Sequence, residues 1–164
     1  MTKRKSLVVG TRARVAVALV AGVIAASIGG AYAQQRQTPG ERAVDYRQSL
    51  MTVLAGNFAP VLLMASGRMP FNAAAAKKDA TRAAFIATMV PDAFPAVSNV
   101  PGKTKAKPTI WTDEAAFHMR WQTLIARTAA LQMAAESGDQ AQIRTAANAV
   151  GGACKDCHDE FRAK

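Results

Sequence analysis

The only two cysteines of this 164-residue chain stand at 154 and 157, and one of its two histidines follows at once, giving Cys154-Lys155-Asp156-Cys157-His158. On a helix, thiols three positions apart lie on one face, and His158, four residues after Cys154, shares it. Two such thiols can form thioethers to two vinyl groups of one porphyrin while the imidazole is aimed at the iron. C-x-x-C-H is the attachment signature of a c-type haem. A disulfide framework, or a zinc site built from cysteine pairs, needs more cysteines than the chain has. A redox dithiol is the competing chemistry. Thioredoxin-like C-x-x-C pairs, however, follow a buried strand early in an alternating strand and helix pattern, and no segment here reads as that strand. A structural disulfide leaves the adjoining histidine unexplained.

Four helical segments account for nearly everything after Gln34. The first opens at Thr38-Pro39-Gly40-Glu41, with a capping threonine, proline at the first helical position and glutamate at the third, and runs to about Ser66. Its apolar stripe is Val44, Met51, Leu54, Phe58 and Leu62, interrupted by Arg47; Pro60 should kink it and Gly67 end it. The second starts after Asn72 and reaches about Met89, before Pro91. Four prolines, Gly102 and lysines at 103, 105 and 107 mark 91–108 as a loop. The third helix starts around Thr109 or Thr112 and continues to Ser137-Gly138, with Ile110, Phe117, Trp121, Leu124 and Leu131 on one face. Asp139 caps the fourth, where Ile143, Ala147, Val150, Cys154, Cys157 and Phe161 recur every three or four residues.

No stretch alternates apolar and polar with period two, so the class is all-α. Four amphipathic helices with two short connections predict an antiparallel up-down-up-down four-helix bundle. Abundant alanine permits close helix approach and is expected to leave space that a porphyrin fills.

The N-terminus reads as an export signal. Lys3, Arg4, Lys5, Arg12 and Arg14 precede an uncharged run from Val15 to Ile28, and Ala31-Tyr32-Ala33 supplies a small-x-small cleavage site. The expected boundaries are 1–33 for a cleaved signal peptide and 34–164 for one mature domain, exported to the periplasm. Such a leader takes five basic and no acidic residues, leaving 16 Lys plus Arg against 11 Asp plus Glu, a net charge of +5 in place of +10. Basic residues are not interleaved with aromatics, so nucleic-acid binding is unsupported.

From 39 to 164 the chain resembles the class II c-type cytochromes, the cytochrome c′ family. The resemblance is carried by Ala43-Val44-Asp45-Tyr46-Arg47-Gln48-Ser49, Gly67-Arg68-Met69-Pro70-Phe71-Asn72-Ala73, Pro108-Thr109-Ile110-Trp111, and Val150-Gly151-Gly152-Ala153 leading into the haem motif. It implies a four-helix bundle with one covalently bound haem c, held by Cys154 and Cys157, with His158 as proximal iron ligand. Arg47 then meets a haem propionate, Gln48 lies at the haem edge, Ile110 and Phe117 line the pocket, and Arg162 holds the proximal side. The loop lysines depart from the family pattern, although a lysine there could supply a propionate contact. His118 reads as a surface residue.

Met51 decides the kind of iron centre. In cytochrome c′ proper a bulky apolar residue here covers an open iron face that admits nitric oxide and carbon monoxide. In low-spin relatives a methionine at this position is the second axial ligand and suits simple electron transfer. Some five-coordinate members also carry methionine, and the Tyr46-Arg47-Gln48 run favours them. The expectation is a one-electron carrier or gas binder and no enzyme, because Met51, Leu54 and Phe58 offer no acid or base beside the iron. Unidentified soluble or membrane redox proteins are the expected partners. The resemblance also implies a homodimer through the first two helices.

Overall fold

The computed structural model describes residues 37–164, which form one unit. The expected leader and its cleavage site lie outside the described residues.

Four long helices are present, and their ends follow from local chemistry. Helix α1 is Pro39–Ala65, capped by Thr38, whose hydroxyl accepts from Glu41 N while the Glu41 carboxylate accepts from Thr38 N at 2.9 Å. It runs unbroken through Pro60. It closes in a Schellman turn, in which Gly67 at φ 76° lets Arg68 N reach Leu63 O (2.9 Å) and Gly67 N reach Met64 O (3.2 Å). Helix α2, Ala73–Met89, starts where Asn72 Oδ1 accepts from Ala75 N. Helix α3, Glu114–Ser137, ends at left-handed Gly138, and α4, Gln140–Phe161, is capped by Asp139.

The segment 91–108 carries two short 3₁₀ turns, Pro91–Ala93 and Ala96–Ser98. The expected start of the third helix is corrected. Thr109–Thr112 is a separate single turn, because Asp113 leaves helical geometry (φ −126°, ψ 61°) to cap α3 through its carboxylate and Ala116 N.

The helices pack in a ring, α1 on α2, α2 on α3, α3 on α4 and α4 back on α1. This is the antiparallel four-helix bundle, and among the described residues there is no strand, only an isolated antiparallel bridge between Ala106 and Arg162. On α3 the whole expected face is buried. On α1 the inward face is centred instead on Leu50, Leu54, Val61 and Met64, while Met51, Phe58 and Leu62 are half-buried at its edge. Helix α2 buries almost nothing but alanine (Ala76, Ala80, Ala83, Ala84, Ala87, with Ile86). That brings neighbouring backbones close.

Candidate functional site

One end of the bundle holds a cavity of about 550 Å³ between α1, α3, α4 and the loop before α3. Its alanine-poor walls correct one expectation. They are built from Met51, Phe94, Phe117, Trp121 and Phe161, with Ala106 the only lining alanine and no residue from α2. The space lies where α1, α3 and α4 meet the segment before α3, and the buried alanines of α2 pack elsewhere.

Arg47, Gln48, Met51, Ile110, Phe117, Cys157, His158 and Arg162, all singled out from sequence, line this one cavity. Cys154 does not; it is half-buried against the core, one turn before His158. Leu54 and Phe58, expected beside Met51, are also absent from the walls: Leu54 is buried in the core, and Thr52 takes the place next to Met51. Sequence reasoning missed Phe94, Thr104 and Ala106, which come from the irregular segment where no periodicity assigns a face. Trp121 and Phe161 stood on inward stripes, but a stripe does not tell core from cavity wall.

No disulfide joins the two cysteines, and burial raises the thiol pKa of both. Cys157 is pushed up to about 11, by burial first and then by Cys154. A dithiol redox centre needs a thiolate, so these environments oppose that chemistry. His158 moves the other way: partial desolvation, then the nearby Arg162 cation, lowers its pKa and favours the neutral imidazole that ligates metals.

Arg47 is only 3 % exposed. Its guanidinium donates to Ser98 Oγ (2.7 Å), Ser98 O (3.3 Å), Ala93 O (3.3 Å) and Thr104 Oγ1 (3.0 Å), and lies 4.7 Å from the Phe94 ring centroid. Every one of these partners is neutral. Gln48 Nε2 donates to Lys103 O at 3.3 Å, so it too secures the loop. Gly40 permits the same docking, since a Cβ there would collide with the Val97 carbonyl.

These observations test whether a porphyrin fits. The lining includes three cationic side chains, Arg47, Lys105 and Arg162, and no carboxylate, matching two propionates. Trp121 Nε1 is the one buried side-chain polar atom without a hydrogen-bond partner among the described residues, and Trp121 lines the cavity. Aromatic walls, a neutral imidazole and a thiol on one helix complete a donor set suited to a haem.

A helical bundle with this cavity is the architecture of a haem-binding bundle protein. The family model for cytochrome C′ matches residues 42–162. The cytochrome c′ of Rubrivivax gelatinosus is 38 % identical over 130 residues, covering 79 % of this chain and all of that one. Its crystal structure superposes with a TM-score of 0.73 at 37 % identity, over 79 % of this chain and 100 % of that chain. A nitric oxide complex of a cytochrome c prime point mutant from Alcaligenes xylosoxidans gives 0.72 at 32 % identity, over 79 % and 100 %. The chain belongs to the cytochrome c′ family, and its cofactor is one covalently attached haem c.

Proposed function

We propose that this is an exported haem protein that carries one electron or binds a small diatomic gas, with Cys154 and Cys157 as thioether anchors and His158 as the axial iron ligand. The observation that carries this reading is that Cys157 and His158 share a cavity with Met51 on α1 and with rim cations free of any carboxylate. When bound, the haem supplies an iron able to change its charge by one electron and to take a gas on its free side.

The chain's own residues orient and shield that centre. His158 offers a neutral ring; Arg162 lies one turn beyond; Phe117, Ile110 and Phe94 keep water away. Arg47, held rigidly by the loop, is a buried cation ready for a propionate. Met51 lines the cavity from α1, and the Tyr46-Arg47-Gln48 run beside it supports the open iron face of cytochrome c′ over ligation by its thioether. Nitric oxide complexes of variants of the Alcaligenes relative support gas binding as the reading for this chain. The residues that α1 gives to the wall, Arg47, Gln48, Met51 and Thr52, include no carboxylate or histidine to act as general acid or base, which favours binding and electron transfer over catalysis. The expected leader supports a periplasmic location. Tyr46 and Val53 on α1 and Phe85 on α2 are exposed, which supports a homodimer through these helices.

The test is a ferric absorption spectrum followed by carbon monoxide addition to the ferrous protein, after expression with haem-maturation machinery. The expected result is a high-spin spectrum and gas binding. A bare polypeptide mass under those conditions would refute the reading.

A further inference from the structure

A helix leaves its last four carbonyls without intrahelical partners. In α4 those belong to His158, Asp159, Glu160 and Phe161, the turn that begins with the histidine, and all four are satisfied. His158 O accepts from Arg162 N at 3.0 Å. Lys107 supplies the other three: its Nζ donates to Asp159 O (3.2 Å) and Glu160 O (2.7 Å), and its backbone N donates to Phe161 O (2.9 Å). Ala163 N donates to Lys105 O at 2.7 Å, and Ala106 bridges to Arg162, so the loop and the tail form a short antiparallel clamp. Arg120 adds a tie from α3 through Glu160 at 2.8 Å. An ammonium at this end also opposes the negative pole of the helix dipole.

The three loop lysines therefore have separate jobs. Lys103 pairs with Glu41 on α1 at 3.3 Å, Lys105 lines the cavity, and Lys107 caps the haem-bearing helix. We propose that Lys107 is a positioning residue for the axial histidine: by capping the last turn of α4 it fixes the backbone of His158 and hence the angle at which the ring meets the iron. The inference rests on the reading of His158 as the iron ligand. Without its cap a terminal turn frays, and a ring carried on that turn meets its target over a spread of tilts and lengths.

The test uses the haem-loaded protein. Lys107→Met keeps the stem and removes the ammonium donors, Lys107→Arg restores them, and Lys77→Met, at a surface pair with Glu136, is the control. Resonance Raman of the ferrous protein should show the iron–histidine stretch broadened and lowered in Lys107→Met and restored in Lys107→Arg. Amide exchange at Arg162, which reports the His158 carbonyl bond, should rise about tenfold on losing the charge-assisted bonds. Unchanged band and exchange would overturn the inference. So would a lowered melting temperature with an unaltered band, the mark of a merely structural lysine, or an altered band with unaltered exchange, which would place the ammonium on a propionate instead. His158→Ala run in parallel should abolish the band; if the band survives, the ligand reading fails and this inference with it. Its loss beside a normal Lys107→Met overturns the inference alone.

Discussion

A guanidinium buried among neutral acceptors is costly unless its donors are partnered, and the two terminal nitrogens of Arg47 make four bonds into the loop, leaving its positive charge without a counter-ion. Arg47→Met keeps the stem but strips donors from the buried Ser98 and Ala93 carbonyls, and denaturant unfolding should show a loss of about 2–3 kcal/mol. Sequence placed this residue on an inward face and implied a propionate partner. It could not show the loop bonds, because Ser98 and Thr104 lie more than fifty positions away. Met51 gives a second residue-scale prediction: Met51→Leu should leave the ferric spectrum and carbon monoxide binding unchanged. A switch from low to high spin on that substitution would make the thioether an iron ligand.

At the scale of elements, the caps were legible because they are local. Thr38, Asn72 and Asp139 each stand immediately before a periodic run, and each caps its helix. Thr38→Ala removes one side of a capping box and should lower stability by about 1 kcal/mol in thermal or denaturant melts. Asp139 makes a pH prediction. Backbone N–H donors from Gln142 and then Ala141 hold its carboxyl below the ordinary 3.8. A depressed folded value means that stabilisation is present above the unfolded pKa and is lost as pH falls through the folded one. Melting temperature should therefore drop less steeply below roughly pH 4 in Asp139→Asn than in the parent. The break at Asp113 was not legible, since the same acidic pair serves equally well in the first turn of one continuous helix.

For the whole molecule, the cavity ties folding to the cofactor. Phe94, Phe117, Trp121 and Phe161 line it, so a bound haem covers apolar surface that the polypeptide alone leaves to water. Protein made without haem-maturation machinery should lose near-UV circular dichroism and cooperative melting. Phe85, 68 % exposed on α2, offers a test of the proposed homodimer: the parent should sediment as a dimer and Phe85→Glu as a monomer with the same haem spectrum, and a monomeric parent would refute the dimer.

What the amino-acid order determined alone was whatever depends on near neighbours: helix periodicity, capping residues, and the spacing of Cys154, Cys157 and His158 on one helical face. These are set within a few residues, where backbone geometry leaves little choice. Tertiary structure alone decided where the cavity opens, which inward residues line it rather than fill the core, and that Lys107 closes the end of α4. Each depends on how elements far apart in the chain dock. That geometry is set by the packing of all four helices together, so no local pattern encodes it.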